Sequence, residues 1–191
     1  MRTFVAIDTG EKVADLVDSV GEKLRKMGFK ANWISGKNNH ITLAFLGELE
    51  KPKVKVVASM ISKRLRGFPT FTIKTTGLGY FKKKNLPRVI WIGLEENDLL
   101  AQLFRETKVA LDGLGFKVEG RFHPHITVGR MKYSPAYWMK LLKTISIDEV
   151  VFPVNEVIVY KSILTPKGAI YKKQYLCDFE GGLIEHESEE G

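Results

Sequence analysis

His125-Ile126-Thr127-Val128 and His40-Ile41-Thr42-Leu43 share the pattern His-Ile-Thr-aliphatic and stand 85 residues apart in a chain of 191. On an extended strand side chains alternate faces, so the histidine and threonine point one way and the two aliphatic residues the other. Each stretch offers an imidazole and a hydroxyl to a cleft and two apolar groups to a core. Two such strands facing each other gather two imidazoles and two hydroxyls around one volume. A neutral imidazole can take a proton from an attacking oxygen while an imidazolium gives one to a leaving oxygen, which is what an in-line displacement at phosphorus requires. The hydroxyls would hold the non-bridging oxygens where charge accumulates. A cyclic phosphate suits such a site, because it is reactive without a metal.

A single His-x-Thr is more often structural than catalytic. Its duplication argues for function, since the only other histidines are His123 and His186. His123-Pro124-His125 also permits a metal reading, in which His40, His123 and His125 hold zinc. That reading leaves the duplicated threonines without a task, and His123 is expected instead to orient His125 or a neighbouring loop. Arg130 is a candidate phosphate clamp, but on a regular strand its odd offset from His125 puts it on the opposite face. It can serve only if the strand twists or bulges at Gly129.

The elements that must position these groups follow from periodicity. Residues 3–7 read as a buried strand, and Val13, Leu16, Val17, Val20, Leu24 and Met27 mark one face of a helix that stops at Gly28. After a loop carrying Trp33 comes a strand from His40 to Leu46. A helix then opens at Lys51-Pro52 and ends near Gly67, followed by a half-buried strand over 70–76. The second half repeats the order: a strand over 88–93, a helix capped by Asn97 and ended by Gly115, a strand from His123 to Arg130, a short helix after Ser134-Pro135, and a strand over 154–160. Two copies are too few for a solenoid. The expected fold is α+β, with two pseudo-symmetric lobes, each an antiparallel-type sheet with two helices. One domain over 1–179, repeating roughly as 1–80 and 88–165, is followed by an acidic, frayed tail over 180–191.

Two connections are candidate cleft walls. Gly77 to Asn85 interleaves Tyr80 and Phe81 with Lys82, Lys83 and Lys84, and Ser162 to Tyr171 carries Pro166, Lys167 and Tyr171. Lysines attract phosphate and aromatics give stacking planes, which suits single-stranded nucleic acid. Phe45, Tyr80, Phe81, Lys82 and Tyr171 are the candidate contacts to base or RNA. The bland alternative is a pair of solvated hairpins whose aromatics anchor the core.

The balance of 30 Lys plus Arg against 22 Asp plus Glu, with formal charge +8, favours a polyanionic partner. A lysine-rich, glutamine-poor composition is also that of hyperthermophile proteins. The one cysteine, Cys177, excludes an internal disulfide and thiolate metal clusters. The start does not read as a signal peptide and no apolar run approaches a membrane span, so a cytoplasmic chain away from membranes is expected.

The duplicated motif, with Phe45-Leu46-Gly47 after the first copy and His123-Pro124 before and Gly129-Arg130 after the second, resembles the 2H phosphoesterase superfamily. Within it the chain is similar to the RNA 2',3'-cyclic phosphodiesterase family, also called the 2'-5' RNA ligase family, of bacteria and archaea. The likeness runs to about Phe179 and includes Arg2-Thr3-Phe4-Val5-Ala6-Ile7 and Ser162-Ile163-Leu164-Thr165-Pro166-Lys167-Gly168. It implies a bilobal fold with the site between the lobes and metal-independent hydrolysis of a 2',3'-cyclic phosphate, on RNA ends such as tRNA fragments or on nucleosides, to a terminal 2'-phosphate. It also implies 2'-5' ligation in the reverse sense, no cofactor, and a monomer. By the same resemblance His40 is the proton donor, His125 the proton acceptor, and Thr42 and Thr127 bind the phosphate. The alternative from another class is a non-catalytic module that holds an RNA end.

Overall fold

The computed structural model describes residues 1–118, 121–166 and 168–186. Strand β1, Arg2–Asp8, is buried on both faces from Thr3 to Ile7. Helix α1, Gly10–Lys26, buries the apolar stripe read from its periodicity. Gly28, at φ +89°, closes it: the Gly28 N–H bonds to Arg25 O and the Phe29 N–H to Leu24 O, the two bonds of a Schellman stop. Then follow β2, Lys30–Trp33, β3, His40–Glu48, and α2, Lys51–Leu65, with Pro52 in its first turn. Strands β4, Phe71–Lys83, and β5, Leu86–Leu94, form a hairpin that leads to α3, Asp98–Asp112, whose Leu100 N–H is capped by the Asn97 side chain at 3.0 Å. The chain continues through β6, Ile126–Tyr133, α4, Trp138–Lys143, β7, Val151–Val154, β8, Glu156–Thr165, β9, Gly168–Asp178, and β10, Leu183–Glu185.

The strands join antiparallel in the order β10-β9-β8-β1-β3-β6-β5-β4-β7, with β2 added to β6. The two halves of this order meet at a single residue pair, Ile41 and Ile126, where β3 touches β6. Each half is one lobe, and the lobes are interlaced rather than sequential. β8, β9 and β10, from the second half of the chain, extend the lobe of β1 and β3. β4 and β2, from the first half, extend the lobe of β5 and β6. Helix α1 lies behind β6 and β7, and α2 behind β9 with α3 beside it. One apolar core runs behind both motif strands, from Val5, Ile7 and Ile41 to Ile90, Ile92 and Ile126. A smaller cluster of Phe4, Ala6, Ile158 and Tyr160 lies on the other face of β1.

Several elements differ from expectation. The loops read over 77–85 and 162–171 are the β4–β5 and β8–β9 hairpins, long ladders that carry lysines on exposed faces. The strand read over 154–160 breaks at Asn155, because β7 pairs with β4 in one lobe and β8 with β1 in the other. The segment after Phe179 begins as β10 on β9. The rest of the acidic tail, with Glu187, Glu189 and Glu190, and Lys167 fall outside the described residues. Among the described residues no helix is long and apolar enough to cross a membrane.

Candidate active site

The motif strands are bent by the same irregularity. On β1 and β3 the cross-strand pairs run Phe4–Phe45, Val5–Ala44, Ala6–Thr42 and Ile7–Ile41, which leaves Leu43 as an extra residue. On β5 and β6 they run Val89–Arg130, Ile90–Gly129, Trp91–Thr127 and Ile92–Ile126, which leaves Val128 as the extra one. Each residue of the second set is the first set's residue advanced by 85. A bulge of this kind reverses the alternation beyond it. Phe45 is thereby turned onto the face of His40 and Thr42, and Arg130 onto the face of His125 and Thr127. At the second bulge a side chain on Gly129 would press on Trp33, Met131 and Ala31 at 2.9–3.2 Å, so glycine lets β2 lie close against β6.

The two faces form one cleft. It brings together His40, Thr42, His125, Thr127 and Arg130, and is bordered by Phe45, Phe81 and Tyr171. Each histidine is held by the same local bond. His40 Nδ1 lies 2.8 Å from the carbonyl oxygen of Asn38, and His125 Nδ1 2.8 Å from that of His123. A carbonyl only accepts, so Nδ1 carries the proton in both rings and Nε2 is left for the cleft. Aromatic rings fix the planes: Phe4 and Tyr171 stand 4.9 and 5.1 Å from His40, and Phe81 4.9 Å from His125.

Burial holds the pKa of both imidazoles below the ordinary 6.5. The hydrogen bonds to the Asn38 and His123 carbonyls oppose this. Positive charge on Arg130 lowers both further. Asp8, paired across the ladder from His40, raises that ring alone, and its own carboxylate is bonded to Lys173 Nζ at 2.6 Å.

The other sequence candidates lie elsewhere. Tyr80 is on the opposite face of β4, edge-on to Trp138 at 4.8 Å, with its hydroxyl 3.7 Å from Met139 Sδ. Lys82 is exposed on the hairpin, outside the cleft lining. The ring of His123 packs on Trp91 and Phe81 at 5.2 and 5.3 Å, and it is the His123 backbone, not its imidazole, that orients His125. Among the described residues no three His, Cys, Asp or Glu side chains are gathered as a metal ion would need. Sequence reasoning did not single out Asn38, Phe4, Trp91 or the Asp8–Lys173 pair. The 85-residue offset was the available signal for Asn38, since it equates Asn38 with His123.

A family model described as LigT like Phosphoesterase matches the chain twice, over residues 5–91 and 92–171. The chain belongs to this family. The two matches divide this LigT-like phosphoesterase within β5, between Trp91 and Ile92. An RNA 2',3'-cyclic phosphodiesterase of Thermotoga maritima is 46% identical over 186 residues, covering 97% of this chain and 100% of that protein. One of Methanocaldococcus jannaschii is 34% identical over 175 residues, 90% of this chain and 97% of the other. Among solved structures, TT0787 of Thermus thermophilus superposes with a TM-score of 0.76 at 25% identity, over 95% of this chain and 99% of that one. Escherichia coli LigT complexed with 3'-AMP superposes with a TM-score of 0.70 at 26% identity, over 92% and 95%.

Proposed function

We propose that this LigT-like phosphoesterase opens RNA 2',3'-cyclic phosphate ends to a terminal 2'-phosphate, with two histidines and no metal. The observation that carries the reading is the matched pair of imidazoles, each with Nδ1 committed to a backbone carbonyl, on one cleft with two threonines and an arginine. The names of the Thermotoga and Methanocaldococcus relatives support the substrate, and the 3'-AMP complex of the E. coli protein supports a ribonucleotide in the cleft. Water attacks phosphorus and His125 Nε2 takes its proton. The bond to the 3'-oxygen breaks and His40 Nε2 supplies that oxygen with a proton. Thr42 and Thr127 donate to the non-bridging oxygens, and Arg130 offsets the charge that gathers on them. The donor role of His40 follows the family, and Asp8 favours it because its carboxylate stabilises the imidazolium there. The same groups run in reverse would join two ends by a 2'-5' bond. The chain is expected to act as a monomer in the cytoplasm, on RNA ends such as tRNA fragments.

The test is turnover of a short RNA with a 2',3'-cyclic phosphate end in excess chelator. A terminal 2'-phosphate is expected. A 3'-phosphate would exchange the oxygens assigned above, and tight binding with no product would make the cleft an RNA-end-binding module.

A pH profile gives a second check. Activity needs one ring protonated and one neutral, and both pKa values of the free protein lie below 6.5. The maximum of kcat/KM is therefore expected below pH 6.5. The bound phosphate anion favours imidazolium, so the maximum of kcat should lie at higher pH than that of kcat/KM. Asp8→Asn should move the alkaline limb of kcat/KM to lower pH. An alkaline limb well above pH 7 in the wild type would contradict the assignment.

A further inference from the structure

Resting on the phosphodiesterase reading, we propose that the RNA 5' of the cyclic end leaves the cleft over the tip of the β4–β5 hairpin and is held there as an extended single strand. The site is a hollow lined by Lys83, Lys84, Arg88 and Lys132, with Leu86 and Tyr133 between them. Among the described residues no acidic side chain lines it, and all four cations are exposed. Among the described residues none of the four is in an ion pair with a carboxylate.

The hollow adjoins the cleft along the strands: Arg88 is next to the cleft residue Val89 on β5, and Met131 is next to Arg130 on β6. Lys132 stands two residues beyond Arg130 on β6, roughly 6.6 Å farther along an extended strand, and is the extra residue of a bulge there, since Lys30 pairs with Tyr133 but Ala31 with Met131. That step is close to the distance between successive phosphates of an extended strand. Arg88 is the extra residue of a bulge, since Phe81 pairs with Val89 but Lys82 pairs with Pro87. Bulges re-aim side chains.

Lys84 carries a separate sign of function. It occupies the first position of the two-residue turn between β4 and β5 at φ 55°, the left-handed region where glycine or asparagine is favoured. A lysine there opposes the turn's preference, as residues kept for a ligand do. The exposed ring of Tyr133 gives a stacking plane beside the cations.

Electrostatics decide which way the strand runs. Beyond Trp91 at the other end of β5, the neighbouring hollow is lined by Glu95, Glu96 and Asp98 against one cation, Arg105. A phosphate chain is repelled there and attracted at the hairpin tip.

The experiment compares a nucleoside 2',3'-cyclic phosphate with a hexanucleotide ending in the same group, in the wild type and in Arg88→Gln/Lys132→Gln. The hexanucleotide should have the higher kcat/KM at low salt. In the double variant its kcat/KM should fall about fivefold to tenfold, while the mononucleotide value stays unchanged. The salt slope for the hexanucleotide should become shallower by about 1.4, two phosphate contacts on a single strand. Lys84→Asn should weaken the hexanucleotide alone and leave the melting temperature equal or higher. Equal hexanucleotide kinetics in wild type and variants, or a loss shared by both substrates, would overturn the track. If the wild type turns over neither substrate, the phosphodiesterase reading fails. Fluorescence anisotropy of a labelled hexanucleotide then still decides the track by whether binding is lost in the double variant.

Discussion

Under the proposed mechanism, replacing His125 by alanine should lower kcat for an RNA 2',3'-cyclic phosphate by about 10²–10⁴-fold, and replacing His40 should do the same, the usual contribution of a positioned acid or base. Neither change removes Thr42, Thr127 or Arg130, so the phosphate keeps its hydroxyls and its cation, and KM should move far less than kcat. In the proposed mechanism the two rings act on one proton inventory. The His40→Ala/His125→Ala double variant should therefore lose little beyond either single one, as residues acting as a unit do. Steady-state rates with the melting temperature taken beside them separate this from unfolding. Because His40 packs on Phe4 and Tyr171, His40→Asn is the safer second variant. Full activity in either single variant would remove that ring from the chemistry. Stability should carry the same signature. Both folded pKa values lie below the ordinary 6.5, so the unfolded chain takes up protons first and the wild type loses stability as pH falls from about 6.5 toward the folded values. His40→Asn should lose less over that window.

Gly79→Ala should destabilise by about 1–3 kcal/mol, the range for overpacking a filled site, and lower kcat by up to about 10²-fold through displacement of His125, the proposed proton acceptor. A β-carbon at Gly79 would fall 2.1–2.5 Å from three ring atoms of Trp91, so the indole has to move. That indole shares a sheet face with Thr127 and touches His123 and Phe81, the groups around His125. Its Nε1–H is buried with no partner among the described residues, so none of their hydrogen bonds holds it if it is pushed. Gly77→Ala is the control. It lies two residues earlier on β4 with nothing within 4 Å of the added carbon. Thermal denaturation and turnover of the two variants decide the point. If Gly79→Ala behaves like Gly77→Ala, Trp91 does not position His125.

Much of the site was legible because it is written twice. His40 with Thr42 and His125 with Thr127 stand out by local spacing alone, and period 2 on an extended strand suffices to put each pair on one face. The helices were legible for a similar reason, since the stripe of α1 and its Gly28 stop are local patterns. The hairpins were not. Lys82 and Lys83 read as loop because a strand whose backbone is paired by a neighbour does not need an apolar face of its own. The strand read through Asn155 joined β7 to β8 because nothing local shows that their partners lie in different lobes.

The amino-acid sequence by itself determined that two equivalent His-x-Thr units exist, where they lie, and which chemistry they suit. Only the tertiary structure decided that they share one cleft, through the pairing of β3 with β6 at Ile41 and Ile126, and that Arg130 belongs to it. The offset of Arg130 from His125 is odd, and the face it takes depends on the bulge at Val128. A bulge is a property of two strands in register and not of either strand's own residues. The exchange of β4 and β8 between lobes has the same origin, because which strand completes a sheet is settled by contacts between residues far apart in the chain.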